Sequence, residues 1–359
     1  LQRVPSGLEI SRCCLLVLLC LLAAFFCKEN GVILLPLLLV IEVAVFQCVV
    51  AGAPVKALRF GIGALVLTAL LVFIGFILFP PEWLLFSYAE RDFDLGQRLL
   101  TQARVLWQYL NWFFLLDVRD MALHHDDIRV STSWLDPITT LISALAWLVV
   151  IVLACAALVF DRRLFFLVPA WFLICHSVES TLLPLEQVYE HRNYLALFGP
   201  CLLVAAGLWL IGGADNYAQR WILTSLILLL VSGLLLSRTN VWRSEEQFSA
   251  YHLHRHPLSV RSNYHYANTQ LRLAEASAKP DEAQAKLLLS REYYLNVLNL
   301  SPGSFTALVS LLYLDERYFS SYESARWLDE INSELLSNQR MLREDAWALA
   351  LLLRCQLEG

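Results

Sequence analysis

The chain has 359 residues, of which 58% are hydrophobic and only 16% charged, with a mean hydropathy of +0.56. Soluble domains carry about 25% charged residues, so this deficit excludes an ordinary soluble protein and marks an integral membrane protein. The net charge of −5 leaves no basic footprint and excludes nucleic acid as a partner.

Apolar runs that read as membrane helices lie at residues 13–27, 32–50, 60–79, 137–160, 164–176, 195–212 and 220–237. A bilayer core takes about 20 apolar residues per helix, so the first and fifth runs borrow flanking residues. The expected architecture is all-α: a polytopic transmembrane helical bundle of about seven spans over residues 1–237, followed by a second helical domain over 238–359. From Arg238 onward the charge density is ordinary, with 13 basic and 15 acidic residues. The chain starts at Leu1 and has no small-residue cleavage site before Lys28, so the reading expects an amino-terminal part of a longer protein ahead of it.

Sidedness follows from charge. With residues 1–12 cytoplasmic, the short loops on that side hold Arg3, Arg12, Lys56, Arg59, Arg162, Arg163 and Arg220 against Glu9, Asp161 and Asp215. The opposite segments, 28–31, 80–136 and 176–194, hold seven basic and thirteen acidic residues. The positive-inside rule therefore sets the acidic loops and residues 238–359 on the non-cytoplasmic side.

In chain order, the first polar feature is the short turn Lys28, Glu29, Asn30. It reads either as a solvated turn or as an outer turn pointing into a cleft. Glu42 then sits within an apolar run and needs a bundle interior, a wet cavity or a hydrogen-bonded neutral state. In the outer segment 80–136, an apolar stripe through Leu99, Val105, Leu106 and Tyr109 is broken by Arg98, Gln102, Arg104 and Gln108. This pattern suits a helix lying in the membrane interface or one packed on the bundle. His124, His125, Asp126 and Asp127 follow; two imidazoles and two carboxylates can hold a divalent cation, or the quartet orders its loop.

The most heavily charged boundary is the loop 179–195. It holds Glu179, Glu186, Glu190, the helix breaker Pro184, and then His191, Arg192, Asn193 and Tyr194 together. Arg192 offers a planar fork suited to phosphate oxygens, and Glu186 or Glu190 can accept a proton or bind sugar hydroxyls. No phosphate-cradling glycine loop, nucleophile elbow or dinucleotide fingerprint occurs, which leaves ATPase, hydrolase and dehydrogenase chemistry unsupported. Nine cysteines occur, eight of them in or beside apolar runs, without zinc or disulfide spacing.

Beyond residue 237, helices are expected at 241–254, 260–276, 281–300, 305–314, 321–337 and 344–356, punctuated by Pro257, Pro280 and Ser301-Pro302-Gly303. Helix pairs closing on an Asn-Leu-Ser-Pro turn resemble a tetratricopeptide repeat, so this domain reads as a TPR-like α-solenoid. Such surfaces commonly bind polypeptide.

Three stretches together carry a family resemblance. Cys27-Lys28-Glu29 with Gly31-Val32 and Leu34-Leu35-Pro36, then His124–Asp127 with Asp136-Pro137, then Glu190–Leu195 resemble the motifs of the transmembrane and tetratricopeptide-repeat O-mannosyltransferases and their bacterial relatives. His191 stands where the eukaryotic motif has Arg, and Ala196 where Pro is usual. That family belongs to the GT-C membrane glycosyltransferases. The resemblance implies a polyprenyl-phosphate-linked sugar donor and a protein or glycan acceptor held partly by the repeats. It also implies a bacterial inner-membrane protein with its carboxy-terminal domain in the periplasm. By the same resemblance, Lys28, Glu29, Asp127, Glu190, His191, Arg192 and Tyr194 are the substrate-binding candidates, with Arg192 and Lys28 on phosphate. The acid/base carboxylate is expected in an outer loop ahead of Lys28, outside this chain. The competing reading is a non-catalytic membrane scaffold whose repeats recruit envelope or pilus assembly partners. A transporter, resting on Glu42, is a third.

Overall fold

The computed structural model describes residues 7–50, 53–89, 91–211, 217–319 and 323–337, except for the side chains of 7–11, 14, 29, 50, 53 and 54. The expected helix at 344–356 and the side chain of Glu29 lie outside the described residues. The first helices are α1 (Gly7–Cys27), α2 (Leu34–Ile41), α3 (Lys56–Leu78), α4 (Glu82–Ser87) and α5 (Leu95–Phe114). Next come α6 (Thr139–Val159), α7 (Arg163–His176), α8 (Asn193–Ala196), α9 (Phe198–Leu210) and α10 (Tyr217–Val241). The last are α11 (Glu245–Arg255), α12 (Val260–Glu275), α13 (Pro280–Leu300), α14 (Phe305–Leu314) and α15 (Glu323–Ser337). The described extended structure is a two-residue antiparallel pair, Val49–Val50 with Ala53–Pro54, so the fold is helical in class.

The chain forms two compact units. One comprises Leu1–Leu115 and Arg129–Ile227; the other comprises Leu116–Ile128 and Leu228–Gly359. Residues 116–128, read from the sequence as part of the outer segment, thus cluster with the second unit.

Helices form at each of the seven apolar runs, but three of them, α3, α6 and α10, are long and apolar enough to cross a membrane. The α8–α9 pair, bent by 53°, brings the number to at most four among the described residues. These helices are consistent with membrane association, and α3 has no buried residue along its length. Local backbone explains why apolar runs do not all become long helices. The second run breaks at a π-turn, Glu42–Phe46, after which Gln47 and Cys48 adopt φ of 62° and 54°. Left-handed backbone at two side-chain-bearing residues stops a right-handed helix.

At the end of α1 the chain turns back closely on itself. A Cβ at Gly31 would lie 2.4 Å from the backbone carbonyl of Ala24, so only glycine fits the turn. Gly31→Ala is expected to cost about 1–3 kcal/mol by overpacking, read as a lowered thermal midpoint in detergent. An unchanged midpoint would mean that the turn moves freely off α1.

α5 starts with a reciprocal cap, in which the Asp94 carboxylate accepts from Gln97 N and the Gln97 side chain accepts from Asp94 N. It packs along α6 through indoles: Trp107 Nε1 donates to Ser143 O (3.1 Å) and Trp147 Nε1 to Ala103 O (3.0 Å), with the two rings stacked at 4.5 Å. Its buried face carries Arg98, Thr101, Gln102, Val105, Tyr109 and Trp112 at helical spacing. Of the two sequence readings, α5 takes packing on neighbouring protein, and the face it buries is largely polar.

In the second unit each of α11 to α15 packs on its neighbour in the chain, most extensively α12 on α13. Ala267, Leu271, Tyr294, Leu308, Leu311 and Trp327 belong to its core. Ser244 accepts from Gln247 N and starts α11 three residues after α10 ends.

Candidate functional site

The polar face of α5 organises the loop that follows α7. Arg98, fully buried, directs its guanidinium at three backbone carbonyls: Nη2 to Glu179 O (2.6 Å), Nε to Thr181 O (3.0 Å) and Nη1 to Leu185 O. One turn on, Gln102 Nε2 donates to the backbone carbonyl (2.7 Å) and side-chain oxygen (2.8 Å) of Gln187. Two turns further, the Tyr109 hydroxyl accepts from Tyr189 N at 3.0 Å. Tyr88, just past α4, adds a bond to Leu182 O (2.7 Å). Successive turns of one helix therefore hold successive residues of the 179–189 loop, whose carbonyls would otherwise be orphaned. Burial pulls the Arg98 guanidinium down to about 10, so it stays charged at neutral pH. Burial likewise raises the Tyr109 phenol, which stays protonated.

The held loop carries a closed ion pair. Arg192 Nε lies 3.2 Å from Glu179 Oε2, with side chains 3% and 14% exposed. Arg192 Nη1 donates to Glu186 O at 2.6 Å, and its guanidinium lies 5.0 Å from the Tyr189 ring centroid. The second Glu179 oxygen accepts from Asn30 Nδ2. Glu186 pairs with Arg91 at 2.6 Å. The short turn after α1 and the loop after α7 thus meet at Glu179. Arg91, Arg98 and Arg192 against Glu179 and Glu186 leave one excess positive charge. Around them Asn30 Oδ1, Gln102 Oε1 and Gln187 Nε2 are buried without a hydrogen-bond partner. The His176 ring stacks on Tyr109 at 5.2 Å, closing this seam against α7.

The sequence-predicted residues divide around this cluster. Arg192 faces inward, whereas Tyr194 is 91% exposed and His191 and Lys28 are exposed. Glu190 and His191 lie on the 3-10 turn Glu190–Arg192, with the His191 ring 5.1 Å from that of Tyr189. Asp127 lies in the second unit, where His256 Nδ1 is 3.0 Å from both its carboxylate oxygens. The sequence reading names Arg98, Gln102, Tyr109 and Asn30 but counts none of them among the site residues. Their signal was a polar set, 98, 102 and 109, at helical spacing within an otherwise apolar stripe.

The quartet His124, His125, Asp126 and Asp127, which by sequence reads as able to hold a cation or to order its loop, is not arranged as a ligand set. Asp126 accepts from Ser259 Oγ and from Arg261 N (3.2 Å), His125 Nε2 accepts from Ala122 N (3.3 Å), and the His124 ring faces His265 at 6.2 Å. Adjacent side chains diverge to separate partners, and the quartet orders its loop. Among the described residues no group of three or more His, Cys, Asp or Glu is arranged to hold a metal ion. Comparison with family models, curated proteins and solved structures finds no match to this chain.

Proposed function

We propose that this chain is a membrane glycosyltransferase of GT-C type, or the carboxy-terminal portion of one, which moves a sugar from a polyprenyl-phosphate donor to a protein or glycan acceptor on the non-cytoplasmic face. In this reading the bundle crosses the membrane about seven times. The TPR-like helices of the second unit lie on the outer side, in the periplasm of a bacterial cell, and hold the acceptor. The observation that supports the reading is the junction of the two motif-bearing turns at Asn30, Glu179 and Arg192. Two segments far apart in sequence, each carrying part of the resemblance, form one polar cluster with an excess positive charge.

Within this reading the roles are divided. Arg192, with Nε and Nη1 engaged, holds the loop in shape. The exposed Lys28 and His191 contact the donor phosphate, and Glu190 and Tyr194 meet the sugar or acceptor. The chemistry is displacement at the anomeric carbon. A carboxylate takes the acceptor proton while cationic groups stabilise charge growing on the departing phosphate.

The test is transfer by the purified, reconstituted full-length protein from a polyprenyl-phosphate-linked sugar. Lys28→Ala is expected to cut the rate by at least about tenfold, the scale of one lost charge-assisted contact. An unchanged rate removes the site assignment. A scaffold that recruits envelope or pilus assembly partners is the second reading, favoured by the internal saturation of Glu179. It predicts no transfer by the full-length wild-type protein, and partner capture that needs the second unit and is indifferent to Lys28→Ala.

A further inference from the structure

Five of the eight histidines, His124, His125, His252, His256 and His265, gather in the second unit where residues 116–128 lie on α11 and α12. Two of them hold that segment through different hydrogen-bonding arrangements. His252, fully buried, takes Leu123 N on Nδ1 at 3.3 Å, which requires an unprotonated nitrogen there. Its Nε2 is buried without a partner. His256 presents Nδ1 to both oxygens of Asp127 (3.0 Å each) and Nε2 to Asp120 O (3.3 Å), an arrangement that satisfies two donors.

We propose that residues 116–128 form a pH-sensitive strap, released by acid at its His252 end and kept by acid at its His256 end. Protonating His252 removes the acceptor for Leu123 N and puts a cation beside others. The groups facing it are Arg238 on α10, whose Nη1 donates to Met121 O at 2.7 Å, His124 on the strap, His256 beyond α11 and His265 on α12. Two carboxylates of the strap are committed away from His252. Asp127 is on His256, and Asp126 is on Ser259 and Arg261 N. Asp120 also faces His256, and Arg261 and His125 face His124.

Linkage gives the direction. Burial, aided by Arg238, lowers His252 from 6.5 to about 3, and burial lowers His124 to about 4 despite Asp126. Both favour the held strap fully above the ordinary histidine value and progressively less as pH falls below it. For His256, burial lowers its value, but the bond and charge of Asp127 outweigh it and the net shift is upward. Its hold is complete below the ordinary value and fades as pH rises through the raised one. Acid therefore opens residues 121–124 while the Asp126–Asp127 end remains attached.

The experiment is hydrogen–deuterium exchange of the full chain in detergent at about pH 7.5 and pH 5, corrected for intrinsic rates. Protection of a peptide covering residues 121–124 is expected to fall by at least about tenfold on acidification. Peptides from α13 and α14 should keep theirs. His252→Gln, which retains an oxygen acceptor but does not titrate, should weaken the pH dependence to the part that His124 carries. Unchanged protection of residues 121–124 at pH 5 overturns the proposal, as does a loss shared by α13 and α14. A variant that keeps the wild-type pH dependence overturns the role of His252. The wild-type profile decides the strap's release even if the variant fails to fold.

Discussion

Replacing Arg98 with methionine is expected to destabilise the protein by about 3 kcal/mol and to deprotect the backbone of residues 179–189. Methionine matches the aliphatic stem but supplies no donor. The carbonyls of Glu179, Thr181 and Leu185, which Arg98 holds, then lose their partner. An orphaned buried acceptor costs about 1–3 kcal/mol, and partial hydration of the loosened loop recovers some of that. The cost of burying the guanidinium is relieved in the variant, which keeps the net figure below the sum of three lost bonds. Lysine should lie between the two, because a point charge on a flexible stem cannot reproduce the fork that reaches three carbonyls. Exchange protection across the loop and the thermal midpoint report both effects, and sugar transfer should fall with them if the proposed function holds. Full protection of residues 179–189 in Arg98→Met would show that the loop keeps its shape without α5, and the positioning role would fall.

The difference between what the chain announces and what it conceals follows sequence distance. Helices α12, α13 and α14 begin and end within a residue of their expected positions, because apolar periodicity and Pro280, Pro302 and Gly303 act locally. Crossing lengths were less legible. An apolar run records hydrophobicity, and the π-turn at Glu42 and left-handed Gln47 and Cys48 cut helix length without altering it. The least legible residue was Arg98, which in the sequence only interrupts an apolar stripe. Its partners lie 81 to 87 residues away, and nothing local tells a solvated arginine from one that clamps a distant loop. The loop 179–195 was recognised by its charge density. That Arg192 would turn inward onto Glu179 while its neighbour Tyr194 turned outward depends on the turn Glu190–Arg192 running into α8. His252 escaped notice for the same reason as Arg98, since the amide it accepts is 129 residues away.

In the second unit the largest expected loss follows from Asp315→Ala, at about 3–5 kcal/mol, the scale for breaking a buried ion pair from one side. Asp315 is fully buried at the turn after α14 and ties three segments together. It accepts from Arg291 Nε (2.8 Å) and Nη2 (3.3 Å) on α13, and from Trp327 Nε1 (2.8 Å) on α15. The Asp315 bond raises the Arg291 guanidinium above its ordinary value; without it the arginine still ionises as any guanidinium does and keeps the half-exposed Glu323 as a carboxylate partner. Trp327, itself fully buried, would also lose the acceptor for its indole N–H. Asp315→Asn should cost less, since one amide oxygen still accepts, but its NH2 then opposes a donor. The discriminating variant is the double change Arg291→Met with Asp315→Leu. Removing both charges leaves the indole N–H without its acceptor and returns Glu323 to solvent, and the double change should recover more than half of the Asp315→Ala loss. Denaturant unfolding of the full chain, with exchange followed across residues 305–337, measures each. A cost below about 1 kcal/mol for Asp315→Ala would mean that apolar packing around Leu308, Leu311 and Trp327 already fixes α13, α14 and α15. The buried carboxylate would then select the register of those helices without adding to their stability.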